Sequence, residues 1–310
     1  MKHVTVMTAC FNEVENVREV YERVRDVFAK LPGYRYEHLF VDNASTDGTV
    51  AVLRQVAAAD RNVKVIVNRR NFGHIRSPYH GLLEAKGDAV LSIVADLQDP
   101  PELIPLFLEK WEKGSRVVLG VKKTSEESGA LFALRGLYYR LLDGLADVRI
   151  IQHATGFGLY DREFLEAMRS LNDPYPYARG LVAELGFECE TVVYDQPARR
   201  RGLTKNNFLS LYDMAMVGIT SHTRVPLRVA TFAGFTFSAL SLLAALGYLV
   251  YKLAFWNSFP VGIAPLVIGL FFAMSVQLFF LGVLGEYILA MHVRLMNRPL
   301  VVERERINFD

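Results

Sequence analysis

SIVADLQDPPE, residues 92–102, joins the end of an apolar run to three oxygen-bearing side chains, Asp96, Gln98 and Asp99, and then to the proline pair Pro100–Pro101. The run Ala89 to Val94 is too short for an independent helix and rich in β-branched residues, so it reads as a buried strand. Proline cannot continue a strand ladder but suits the first turn of a helix. The stretch therefore predicts a strand, an acidic loop and a helix, with the acids at the mouth of a sheet.

Outward from this point the same alternation repeats. His3 to Ala9, Tyr36 to Val41, Val63 to Val67, Ala89 to Val94 and Arg116 to Leu119 read as strands, and Glu15 to Ala29, Thr49 to Ala59, Ile75 to Lys86 and Pro101 to Lys113 as helices. Such alternation implies right-handed crossovers and a mostly parallel α/β sheet, which binds ligands outside the carboxyl ends of its strands. The polar loops fall at those ends: CFNEVEN (10–16), DNASTDGT (42–49), NFGH (71–74) and ADLQDPP (95–101). Neither Gly-x-Gly-x-x-Gly nor a Gly-Lys-Ser/Thr loop follows the first strand, which disfavours a dinucleotide fold or a P-loop. Each loop alone reads equally as a turn with a helix cap, because Ser45, Thr46 and Asp47 satisfy free helix amides. Glu13, Asp42 and Asp96 at three strand ends go beyond capping, since clustered anions repel unless a cation or a donor-rich ligand joins them.

Composition divides the chain. Of its 310 residues 51% are hydrophobic, and the mean hydropathy of +0.18 is high for this charge content. The excess sits in the last third, and residues 1–200 read as a cytosolic domain of ordinary size. Cys10 and Cys189 lack metal-type spacing and fit a reduced compartment. A net charge of +2 is not that of a strongly basic nucleic-acid binder, and the N-terminus has no signal-peptide pattern. Residues 201–225 combine cations with an amphipathic stretch suited to lying in a membrane interface. Val229 to Phe255 and Val261 to Val293 each exceed the roughly 20 residues that cross a bilayer, which predicts a two-helix transmembrane hairpin over residues 226–293. Arg224 and Arg228 precede it, and Arg294, Arg298, Arg304 and Arg306 follow it, so both termini are expected in the cytosol of a multi-pass inner (plasma) membrane protein. Residues 294–310 read as a cytosolic tail.

The order FNEVEN, VDNASTDGT, NFGH, ADLQDPPE resembles the family 2 glycosyltransferases of GT-A fold. ADLQDPPE in particular is similar to the polyprenyl-phosphate glycosyltransferases, which include dolichol-phosphate mannose synthase and the bactoprenol glucosyltransferases. The resemblance implies inverting transfer of a hexose from a nucleotide sugar, UDP-glucose-like, to a polyprenyl phosphate on the cytosolic membrane face. It implies Mg2+ or Mn2+ held by Asp96 and Gln98, with Asp96 as the catalytic acid of the motif. It also implies a nucleotide-sugar pocket from Ala9, Phe11, Glu13, Asp42, Asn71 and Asp96. Arg135 in LRGLYYRLLDGL (134–145), and Arg199, Arg201 and Lys205 in ARRRGLTKNN (198–207), are then the acceptor-phosphate contacts. Three positions depart from the family pattern: Asn43 and Val94 replace acids, and Gly156, in HATGFGLYDREFLEAM (153–168), replaces an aspartate discussed as a general base. Asp99 reads as a helix cap or an extra metal ligand, and His153 as structural. A transferase acting on a sugar or glycolipid hydroxyl, and a catalytically weak nucleotide-sugar-binding membrane scaffold, remain alternatives. A homo-oligomer is left open.

Overall fold

The computed structural model describes residues 1–123, 154–171, 173, 178–197, 225–255, 263–296 and 298–309. The first five strands and four helices follow the expected alternation: β1 (Lys2–Cys10), α1 (Val17–Phe28), β2 (Tyr34–Asp42), α2 (Thr49–Ala59), β3 (Val63–Asn68), α3 (Gly73–Glu84), β4 (Ala89–Val94), α4 (Ile104–Glu112) and β5 (Val117–Lys122). A short 3-10 turn, Pro101–Leu103, leads into α4, because the proline pair fixes the backbone before regular helix begins. Next come β6 (Ala154–Asp161), α5 (Arg162–Leu171), α6 (Ala178–Glu184), β7 (Cys189–Tyr194), α7 (Val225–Ala254), α8 (Ile263–Leu295) and β8 (Glu303–Ile307).

All eight strands form one mixed sheet in the order β7-β5-β6-β4-β1-β2-β3-β8. The centre, β3-β2-β1-β4, is parallel, while β6 and β8 run antiparallel to their neighbours. Both faces of the sheet are covered, which is why its strands read as continuous apolar runs. One face packs Val6, Phe40, Val65 and Ile93 beneath Val20, Leu53 and Phe107. The other packs Met7, Leu39, Ile66 and Val90 beneath Tyr79, Leu82 and Phe164. Gly81 lets α3 come down on the sheet: a Cβ there would lie 2.6 Å from Val41 Cγ2 and 3.0 Å from Met7 Cγ.

The segment expected as a C-terminal tail is built into this sheet. β8 pairs with β3 from Val65↔Ile307 to Asn68↔Glu303. Its sequence, ERERI, hides it among charged residues, as protected edge strands commonly do. α7 and α8 touch through the rings of Phe237 and Phe272, with centroids 6.1 Å apart. Among the described residues one stretch, Phe272–Val293, is long and apolar enough to cross a membrane, with mean hydropathy 1.7 and none of it buried in the protein.

Candidate active site

The parallel strands bring their carboxyl ends together. Cys10 lies opposite Asp42, Ala9 opposite Val94, and Asp42 opposite Val67. The loops that follow therefore share one edge, and Ala9, Phe11, Glu13, Asp42, Asn71, Asp96 and Gln98 all stand along it. Arg135, Arg199, Arg201, Lys205 and His153 lie outside the described residues.

The first two loops lock to each other. The Asn12 N–H donates to Ser45 Oγ at 2.8 Å, and the Thr46 N–H donates to Asn12 Oδ1 at 2.8 Å. Ser45 in turn donates its N–H to Asp42 Oδ1 at 2.9 Å and its hydroxyl to Asp42 Oδ2. Three residues of this edge hold left-handed backbone without being glycine: Asn12 (φ 56°), Ala44 (φ 64°) and Leu97 (φ 62°). Such conformations persist where surrounding contacts over-determine them, and they concentrate at functional sites. Asp42 is fully buried. Burial raises its carboxyl above the ordinary range, and the Ser45 donors together with the positive charge of Arg304 pull it partly back. Burial and the nearby carboxylates of Asp42, Glu13 and Asp47 hold the Cys10 thiol protonated. Glu13, 9% exposed, accepts the Asn16 side-chain amide at 2.6 Å.

Asn43 has a structural reason to be an amide. Its Nδ2 donates to Asn71 Oδ1 at 2.9 Å and to the Gly73 carbonyl at 3.1 Å, while its Oδ1 accepts from Phe72 N at 2.9 Å and Asn68 Nδ2 at 3.2 Å. An aspartate could not make the two donations. Asn71 also accepts the Gly73 N–H at 2.8 Å, so it shapes the turn into α3.

In the fourth loop the acids divide. Asp99 turns inward: it accepts the Val94 N–H at 3.3 Å and the Tyr194 hydroxyl at 2.8 Å, and is 2% exposed. Burial pushes its carboxyl up to about 7, against the Tyr194 hydrogen bond, with Asp96 adding to the rise. It does not cap the helix; it ties β4 to β7. Asp96 is half-buried, and its Oδ1 accepts the Gln98 N–H at 3.1 Å. The Gln98 amide nitrogen donates to the Pro197 carbonyl at 3.3 Å, which leaves its oxygen as the acceptor end. A carboxylate and an amide oxygen are hard donors of the kind Mg2+ or Mn2+ takes, and Pro197 immediately precedes the basic segment 198–207. Lys122 also reaches this edge, 3.5 Å from Gln196 Oε1 and close enough for its charge to act on Asp99. Sequence reasoning passes over Lys122 and Arg304 as site residues because neither lies in a loop motif.

His80, Glu84 and Glu303 are the one group of metal-type ligands gathered within 4.8 Å among the described residues. Arg306 already pairs with Glu303, at 2.7 Å to Oε1, and with Glu84 at 2.8 Å, so the negative charge of this cluster is met by a guanidinium.

Residues 5–169, more than half of the chain, match the sequence model of glycosyl transferase family 2. The chain belongs to this family. It is 34% identical over 300 residues to the uncharacterized glycosyltransferase YkcC of Bacillus subtilis, covering 96% of this chain and 92% of that one. It is 33% identical over 298 residues to the SfII prophage-derived bactoprenol glucosyl transferase of Shigella flexneri, covering 96% of each. Among solved structures it resembles glucosyl-3-phosphoglycerate synthase from Mycobacterium tuberculosis, determined in complex with Mn2+, UDP and phosphoglyceric acid. The TM-score is 0.50 at 19% identity, over 71% of this chain and 76% of that one. The sheet is thus of the GT-A type, and this family member is a glycosyltransferase.

Tyr194→Phe keeps the edge-on ring contact with Phe157 but removes the donor to a buried carboxyl oxygen. The variant is expected to lose about 1–3 kcal/mol of stability, read as a lower thermal midpoint in detergent.

Proposed function

We propose that this family 2 member moves one hexose, with inversion, from a nucleotide sugar of the UDP-glucose kind to a polyprenyl phosphate at the cytosolic face of the inner membrane. The observation that carries the reading is the likeness to bactoprenol glucosyl transferases along nearly the whole of both chains, the apolar C-terminal third included.

In this reading Glu13 and Asp42 accept hydrogen bonds from the base and ribose, and Ala9, Phe11 and Asn71 wall the nucleotide. Asp96 and Gln98 hold Mg2+ or Mn2+, which when bound takes up charge building on the leaving diphosphate. Arg135, Arg199, Arg201 and Lys205 grip phosphate oxygens of the acceptor. A lipid monophosphate is largely dianionic at pH 7, its second pKa lying near 6, so it needs no protein base. Gly156 fits that chemistry. It is exposed, a Cβ added there would meet no atom of the described residues within 4 Å, and its backbone is not left-handed, so among the described residues nothing fills the space a carboxylate would take.

The strand pairing supports the membrane arrangement in this reading. β8 comes after α8 in the chain yet pairs with β3 of the catalytic sheet, so both ends of the intervening segment lie on one side. If Phe272–Val293 crosses the bilayer, a second crossing must precede it, and the 30-residue α7 is the candidate. Residues 1–200 then form the catalytic domain, 201–225 an interfacial segment, 226–293 the hairpin and 294–310 its return to the sheet.

Two experiments test this. Purified protein given a panel of labelled nucleotide sugars and undecaprenyl phosphate should form a lipid-linked sugar. Asp96→Asn should cost on the order of a hundredfold or more in rate, and Gln98→Ala less. Full turnover in excess EDTA, or efficient transfer to a neutral polyprenol, would contradict the reading. For topology, single cysteines at Ser258 and Arg298 should react with an impermeant thiol reagent from opposite faces of sealed vesicles, and reaction from one face would remove the hairpin.

A further inference from the structure

β8 is not a regular edge strand. Its register with β3 shifts by one residue between Val67↔Glu305 and Asn68↔Glu303, which makes Arg304 the extra residue of a β-bulge. The ladder resumes beyond it, where the Arg69 N–H donates to the Val302 carbonyl at 2.9 Å. The bulge therefore sits at the carboxyl end of β3, on the edge where the nucleotide loops gather. Bulges re-aim side chains, and they recur beside active sites. The neighbours of Arg304 are all committed elsewhere: Glu303 to His80 and Arg306 to Glu84 on α3, and Glu305 to Arg54 on α2.

We propose that Arg304 is a positioning residue of the donor pocket, acting through Asp42. Asp42 lies opposite Val67 in the β2–β3 register, and Val67 lies opposite Glu305, so the bulge is two strand spacings from Asp42. Two spacings are about 9–10 Å, beyond an ion pair but near enough for the charge of the exposed Arg304 side chain to act on Asp42. Among the described residues, Cys10 on β1 has its Sγ 3.9 Å from Asp42 Oδ2, and Glu13 after β1 and Asp47 ahead of α2 lie close enough for their charges to act, with that of Asp42, on the same thiol. Among the described residues Arg304 is the cation whose charge opposes the effect of burial on this carboxyl. As a carboxylate, Asp42 accepts hydrogen bonds with both oxygens; once protonated it loses part of that capacity. The inference rests on the nucleotide-sugar reading of the crevice. Its consequence is that the strand following the apolar helices completes the donor pocket.

The test compares full-length wild type with Arg304→Gln, Arg304→Lys and Glu305→Gln, the last breaking only the exposed Arg54 pair of the same strand. Arg304→Gln should raise the KM for UDP-glucose about tenfold while leaving the acceptor KM unchanged. It should also move the acidic limb of kcat/KM for the donor to higher pH, because loss of the cation leaves Asp42 easier to protonate. Arg304→Lys should restore most of the loss, and Glu305→Gln should change neither value. Equal donor KM and equal acidic limbs in wild type and Arg304→Gln overturn the proposal, as do parallel losses in Arg304→Gln and Glu305→Gln, which mark mere strand docking. Calorimetry with UDP and GDP alone separates the two levels. Wild type that binds neither nucleotide overturns the crevice reading, whereas binding that is equal in wild type and Arg304→Gln overturns the role of Arg304 alone.

Discussion

The site depends on one buried carboxyl. Asp99 carries its two hydrogen bonds into the protein, one from the last residue of β4 and one from Tyr194 at the end of β7, and lies almost wholly out of water. A buried polar group without partners costs about 1–3 kcal/mol or more, so the loop has little freedom to turn this acid outward. With Asp99 fixed inside and Leu97 in left-handed backbone, Asp96 and Gln98 are left at the crevice, each bonded within its own loop or to Pro197. The inward acid serves structure, and the outward acid is the one the proposed chemistry uses.

The same division explains residues that look like losses. Asn43 stands where the resemblance implies an acid, yet its amide joins the loop after β2 to that after β3 through donations an acid could not make. Gly158 pairs with both β4 and β5, and a Cβ there would meet Leu119 Cδ2 at 2.9 Å. Gly156, two residues earlier on β6, is open and exposed. One glycine is demanded by packing, whereas the other is not.

The central strands are legible in the sequence because each is a short apolar run ended by turn residues and followed by a helix of 3.6-residue period. β1 to β5 and α1 to α4 accordingly fall within a few residues of where the pattern puts them. β6 is hidden by the glycines of ATGFGLYD, and β8 by the charges of ERERI. Both are specified by pairing with strands distant in sequence, which local periodicity cannot report. Asp99 reads as a cap or a ligand in the sequence because its partner Tyr194 is 95 residues away. Arg304 escapes for the same reason: its position follows from a register shift against β3, not from any motif around it.

Asp96 and Gln98 as the metal side of the donor site are the centre on which the proposed chemistry turns. Anomalous diffraction from crystals of the full chain grown with Mn2+ and UDP tests this directly. A single Mn2+ peak at about 2.1–2.3 Å from an Asp96 carboxylate oxygen and the Gln98 side-chain oxygen, with Asp99 still turned toward Tyr194, is the predicted result. A peak at Asp99, or at His80, Glu84 and Glu303, with Asp96 and Gln98 making no bond to the ion, would contradict it.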